Sequence, residues 1–166
     1  MSTPPLAIIT NPNPRLRQRA EDVDIKTLAR LRAEGFVDAL VETMRIADGV
    51  GIAAPQVGVP HRIIVVMEGR TPRVYVNPVI TSRSLRSAVD VEGCLSVPGV
   101  VGAVRRATSV SVRALDGEGN PVEKKCKDLV ARIFQHEVDH LDGVLFIDRA
   151  IRTAVLPNDA EKNLRV

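Results

Sequence analysis

His136-Glu137-Val138-Asp139-His140 constrains this chain more than any other stretch. Two histidines four residues apart on a helix stand on one face about a turn apart, so both rings can aim at a single point with Glu137 beside them. The flanking Ile133, Phe134, Val138 and Leu141 make that helix largely apolar, and an apolar helix belongs in a core. Imidazoles turned into a core need partners. A shared cation satisfies both at once when the remaining ring nitrogens meet outer acceptors, and a carboxylate alongside could move a proton of a metal-bound water. The helix is therefore expected to be nearly enclosed by the rest of the chain.

A step of about 100° per residue places Leu129, Ile133, His136 and His140 within about 60° of one another. The metal face thus continues into an apolar patch. Val130, Phe134 and Leu141 fall on another side and can pack inward, which leaves Leu129 and Ile133 to line a hydrophobic pocket beside the ion.

The other elements are read from periodicity. Leu28, Leu31, Val37, Leu40, Val41 and Met44 recur at intervals of three and four, which predicts one amphipathic helix from Ile25 to Ala47 with Gly35 as a weak spot. Arg62 to Met67, Val74 to Ile80 and Thr108 to Leu115 are short, rich in Val and Ile and bounded by turn formers, as strands are. Asp116 to Asn120 turns the last of these into a further strand, Pro121 to Lys127. After Asp142-Gly143, the stretch Val144 to Ile147 reads as another strand. Residues 1–24, rich in proline from Pro4 to Pro14, read as an extended arm laid across the body, and about 157–166 as a mobile polar tail. Two periodic helices among strands that do not alternate with them predict an α+β fold rather than a parallel βαβ array. With 166 residues, one catalytic domain with a core of its own is the expectation.

Composition narrows the function classes. There is no Trp, one Tyr and three Phe, so stacking of nucleic-acid bases on aromatic side chains is not expected. Lys and Arg exceed Asp and Glu by 23 − 20 = 3, and the arginines are scattered rather than striped, so we expect a solvated surface and no specific nucleic-acid site. No apolar run approaches the ~20 residues that span a bilayer, and Met1 to Ala20 lacks the apolar segment of a secretory signal. An intracellular, reducing environment suits Cys94 and Cys126 as separate thiols rather than a disulfide.

A catalytic site of this kind takes three protein ligands, so one is missing. His61, after Pro60, has the look of a turn residue. Cys94, within Glu92-Gly93-Cys94-Leu95-Ser96, is the better candidate, since a glycine-flanked thiol can approach an ion closely. In Gly49 to Gln56, dense small residues follow a helix and suggest backbone left bare for a ligand, with Gln56 offering an amide donor. Neither a GxxxxGK[ST] loop nor a complete GxGxxG is present, which argues against a nucleotide.

Taken in order, these three segments resemble the signature motifs of the peptide deformylases: GxGxAAxQ at Gly49 to Gln56, EGCxS at Glu92 to Ser96, and HExDH at His136 to His140. The likeness extends over about residues 5 to 150. It implies antiparallel β-sheets around a central metal-binding helix, and removal of the formyl group from N-formylmethionyl nascent peptides. It implies Cys94, His136 and His140 as ligands of one divalent ion, Fe²⁺ first, with Ni²⁺, Co²⁺ or Zn²⁺ as substitutes. Glu137 would take a proton from the attacking water and return it to the departing amine, while the Gln56 amide and the Leu95 N–H hold the oxyanion. By the same analogy, Val50, Leu129 and Ile133 line the methionine pocket, and Gly51 and Gly93 pair with the peptide backbone.

The chain departs from many bacterial members at Val97 to Gly102, apolar where they carry charge, which leaves contacts beyond methionine open. That stretch and Ala131-Arg132-Ile133 are more similar to the organellar-type branch. The expected setting is the bacterial cytoplasm, or an organelle matrix or stroma after loss of a leader. A monomer is expected, with transient ribosome contact compatible with the substrate; the short tail after Arg149 gives no basis for docking by a terminal helix. The rival readings are an HExxH metallopeptidase and a deformylase-like domain that binds peptides without turnover. The first should recruit a downstream ligand, yet none of the 26 residues after His140 is a histidine, and the second should have lost Glu137 or Gln56.

Overall fold

The computed structural model describes residues 4–157. In chain order these form helices α1 (Ile25–Ala33) and α2 (Phe36–Ile46), then strands β1 (Gly51–Ala53), β2 (Ile63–Glu68), β3 (Thr71–Arg83), β4 (Ser87–Glu92), β5 (Val100–Ala107), β6 (Ser109–Asp116) and β7 (Pro121–Lys127). Helix α3 (Asp128–Leu141), the one-turn helix α4 (Phe146–Arg149) and strand β8 (Arg152–Val155) complete them. One sheet runs β1-β2-β3-β6-β7 and a smaller one β4-β5-β8, and each neighbouring pair is antiparallel. The fold is α+β, as expected.

Strand β2 shows how the layers arise. Successive side chains of a strand point to opposite faces, and Ile63 to Val66 are all fully buried, so this strand has protein on both sides. On one side Ile63 and Val65 join Leu28, Leu31, Leu40 and Met44 of α1 and α2. On the other, Ile64 and Val66 meet Ile133, Phe134 and Leu141 of α3, with Tyr75, Val110 and Val112 closing the layer. Each of those three α3 side chains is fully buried, which contributes about 1.5–3 kcal/mol apiece. A third cluster, Leu16, Cys94, Val97, Val104, Leu145 and Phe146, joins the arm to the small sheet and α4. Every residue of α3 from Ala131 to Leu141 is buried, which bears out the enclosed central helix.

Two expectations are corrected. The helix foreseen from Ile25 to Ala47 is two helices: Gly35 takes φ 75°, a left-handed conformation that needs no Cβ relief, and the chain restarts at Phe36. The bend lets both leucine faces lie against the sheet. Val144 to Ile147 is not a strand. Gly143 closes α3, Leu145 and Phe146 sink into the third cluster, and α4 begins with the Leu145 N–H donating to Asp148 Oδ2 at 2.8 Å. Strands β4, β5 and β8 had not been foreseen, since β4 is exposed along most of its length and β5 buries Arg106, which masks the apolar alternation. Leu16 of the arm is 1 % exposed, the arm turns through a short 3-10 helix at Pro14–Arg17 rather than running extended throughout, and the predicted tail beyond Pro157 lies outside the described residues.

Candidate active site

Helix α3 carries His136 and His140 between the two sheets, and the loop after β4 brings Cys94 to them. The ligand atoms of Cys94, His136 and His140 all lie within 4.8 Å of one another, and all three residues are buried. Cys94 Sγ is 3.2 Å from His140 Nε2. His136 Nδ1 pairs with Glu92 Oε2 at 2.9 Å, while its Nε2 is buried with no hydrogen-bond partner among the described residues. That ring nitrogen is an electron-pair donor held in place from behind, so the residues present fit a divalent cation of the borderline class that accepts thiolate and imidazole. His61 forms a bridge with Glu21 instead and is not part of the cluster.

Glu92, the first residue of the Glu92 to Ser96 motif, has a role that its sequence neighbours do not reveal. Fully buried, it accepts from Arg106 Nε and Nη2, both at 2.9 Å, from Arg132 Nη1 at 2.7 Å and from His136. Burial pushes its carboxyl up, but the hydrogen bonds from His136 and Arg106 outweigh this and hold it well below the usual carboxylate range. Arg106 Nη1 goes on to Asp139 Oδ2 at 2.6 Å, and Arg149 grips the same carboxylate at 2.6 and 2.8 Å. The Asp139 inside the HExDH segment therefore ties α3 to β5 and α4. A signal for this lay in the pairing of β4 with β5, where Ala88 opposes Arg106 and puts arginine and Glu92 on one face. Without that hairpin, nothing local links them.

Glu137 is buried beside the cluster, and its Oε2 also has no partner among the described residues. Burial dominates and lifts its carboxyl to about 7, with the charge of His136 opposing. Burial likewise drives His140 well down, reinforced by the charges of His136 and Arg106, which leaves it neutral. Gly51 of β1 abuts this carboxylate: a Cβ there would collide with Glu137 Oε1 and come within 2.8 Å of Ile133 Cγ2. The bare backbone foreseen in Gly49 to Gln56 is thus required first by the helix. Strand β1 is an edge strand: among the described residues it pairs with β2 and with no second strand.

Gln56 is buried, and its side chain is aimed by the Ala53 N–H donating to Oε1 at 2.8 Å. Its Nε2 donates to Ser96 Oγ at 3.2 Å and lies 3.6 Å from Cys94 Sγ, so the amide stands beside the ligand cluster. Ile133 and the half-buried Val50 belong to the core layer against β1. Leu129 does not join them in a closed pocket. It stands 56 % exposed near the free start of α3, almost two turns from His136, at a cavity of about 210 Å³ shared with Ala88, Asp90, Thr108 and Arg132.

An antiparallel α+β fold that closes on a helix with one thiolate, two imidazoles and an adjoining carboxylate has the features of a mononuclear metallohydrolase. Comparison with known proteins agrees: the polypeptide deformylase family matches residues 5–155. A peptide deformylase of Syntrophomonas wolfei is 45 % identical over 148 residues, 89 % of this chain and 95 % of that one. One of Pelotomaculum thermopropionicum is 53 % identical over 115 residues, 69 % and 74 % of the two chains. The crystal structure of a class I type b peptide deformylase from Acinetobacter baumannii with Met-Ala-Ser bound superimposes with a TM-score of 0.84 at 38 % identity, over 90 % of this chain and 99 % of that one. The chain belongs to the peptide deformylase family, metal-dependent hydrolases that remove the N-formyl group from newly made polypeptides.

Proposed function

We propose that Cys94, His136 and His140 hold the ion, that Glu137 carries the proton, and that Gln56 Nε2 and the Leu95 N–H receive the oxyanion. The observation that carries this reading is the pair of buried, unpartnered atoms, His136 Nε2 and Glu137 Oε2, beside a thiol and a second imidazole. A divalent ion held there, Fe²⁺ or in its place Ni²⁺, Co²⁺ or Zn²⁺, supplies Lewis acidity to the water and the formyl oxygen.

Glu137 accepts a proton as the water oxygen bonds to the formyl carbon; the C–N bond then breaks, formate leaves, and Glu137 protonates the freed amine. A carboxyl at about 7 suits both directions of that transfer. Charge builds on the formyl oxygen only in the transition state, so the Gln56 amide and the Leu95 N–H raise kcat rather than ground-state binding. The edge of β1 at Gly51, which pairs with no second strand among the described residues, and the backbone at Gly93 are assigned to an extended peptide, and the bound Met-Ala-Ser of the Acinetobacter baumannii relative supports such a ligand here. The methionine side chain is assigned to Val50 and Ile133, without Leu129.

The substrate places the reaction wherever translation starts with formylmethionine, the bacterial cytoplasm or an organelle matrix or stroma, with the enzyme a monomer that meets the ribosome transiently. Among the described residues no helix is long and apolar enough to cross a membrane. The test is anaerobic release of formate from a short formyl-Met peptide by protein loaded with Fe²⁺ or Ni²⁺, compared with Glu137→Ala. Loss of turnover on the order of 10²-fold or more, with metal retained, is expected. Full turnover by the variant would overturn the role of Glu137.

A further inference from the structure

The arm does more than cover the core. Its backbone reaches two of the three motif segments and the residue that follows the third. The Ile9 N–H donates to Gln56 O at 2.8 Å, the Asn11 N–H to Ser96 O at 2.8 Å, and the Ala20 N–H to Leu141 O, at the end of α3, at 2.8 Å. Between the last two, Leu16 is buried in the cluster that contains Cys94. The Leu6 N–H adds an anchor on α2 through Thr43 Oγ1 at 2.8 Å.

The two-residue interval between Ile9 and Asn11 matters most. On extended chain, residues i and i+2 are separated by roughly 6.5–7 Å and project their N–H groups to the same side. Here those two groups clasp the main-chain oxygen of Gln56 and that of Ser96, which follows Leu95. Among the described residues the other polar link between the two segments is the Gln56 side-chain amide, whose Nε2 donates to Ser96 Oγ at 3.2 Å and lies 3.6 Å from Cys94 Sγ. That link uses the very amide that the reading above assigns to the oxyanion. The arm link lies behind both residues and leaves the amide free.

We propose that the arm is a positioning element of the active site: the Ile9 and Asn11 amides fix the spacing between Gln56 and the Leu95-Ser96 backbone, so that the two oxyanion donors stay aimed at one point during turnover. The proposal rests on the donor roles assigned above. A misplacement of either donor weakens an interaction made only in the transition state, which appears in kcat and not in KM.

The test compares Ile9→Pro, which removes the N–H, with Ile9→Ala, which keeps it and loses only packing, in metal-loaded full-length protein. Expected is a kcat about tenfold lower for Ile9→Pro than for Ile9→Ala, with KM within about twofold and equal metal content. Should Ile9→Pro fail to fold, one glycine inserted after Thr10 keeps both N–H groups but lengthens the span between them, and should lower kcat in the same way. Thr10→Ala, exposed and keeping the backbone intact, is the control that should match the parent. Equal kcat for Ile9→Pro and Ile9→Ala, a parental kcat for the insertion, or a loss confined to KM or to metal content would overturn the proposal. Parent and Gln56→Ala are run beside them: no turnover by the parent, or a silent Gln56→Ala, speaks against the assigned function or donors and not against the arm.

Discussion

Glu92 shows what a single buried charge does in this protein. It is the shared acceptor for four donor atoms of two arginines and a histidine, and an anion taken from such a site leaves buried positive charge without its counter-ion. Glu92→Ala is expected to cost about 3–5 kcal/mol of folding stability, and to weaken metal retention by roughly 10–100-fold through the freed His136 ring. Urea unfolding and competition with a chelator read the two effects separately. Tyr75 offers a second residue-level test. Burial first, then its hydrogen bond to Glu68, raises its hydroxyl from 10.0 to about 12. The folded state therefore holds the proton more tightly than the unfolded chain, so this stabilisation is complete below the unfolded value and fades as pH climbs from about 10 toward 12. The urea midpoint should fall across that window, and Tyr75→Phe should flatten the fall. The pair His136 and His140 was legible from spacing alone because four residues make a helical turn whatever surrounds them. Glu92 behind His136 was not, because 44 residues separate them and their contact depends on how β4 meets α3.

At the scale of elements, the break between α1 and α2 is a claim about backbone conformation. Gly35 sits at φ 75°, where an added Cβ costs about 1–2 kcal/mol, so Gly35→Ala should lower stability by about that much without changing metal content. A denaturant titration in which Gly35→Ala equals the parent would mean that the chain can run on as one helix. The break was only half legible: the glycine marked a weak spot, but whether a helix tolerates it depends on the sheet that Leu28, Leu31, Leu40 and Met44 must all reach. The arm makes a comparable test, since Leu16 is almost fully buried against Cys94, Val104 and Phe146. Leu16→Ala should cost about 2–5 kcal/mol. Strands β2, β6 and β7 could be read from their own residues, because burial against a core imposes apolar runs or alternation. Strand β4 could not. Most of its side chains are exposed, and it is a strand because β5 pairs with it.

For the whole molecule, an ion held by Cys94, His136 and His140 would couple two of the three motif segments to folding. Cys94 comes from the loop after β4 and both histidines from α3, so an ion bound to all three favours the folded chain over the unfolded one. At a free metal level a thousandfold above Kd this linkage is worth about 4 kcal/mol, which for a chain of this size is a shift in Tm of roughly 10 °C. Calorimetry before and after chelation should show that drop, and Cys94→Ser should reduce it; equal Tm values with and without metal would mean that the three residues do not share an ion. The same comparison separates two kinds of information in this chain. Local chemistry needs only neighbours along the chain: helical spacing of His136 and His140, the glycine-flanked Cys94, the bare run before Gln56, and strands with a buried face were all present as patterns of residue type, and so the family and the α+β class could be read from them. What depended on the folded molecule was everything that joins distant residues: the Arg132-Glu92-Arg106-Asp139 chain, the close seat of Gly51 on Glu137, the exposure of Leu129, and the arm amides on Gln56 and Ser96. Buried charge and main-chain hydrogen bonds are set by which surfaces meet once water has been excluded, and only the tertiary structure decides that.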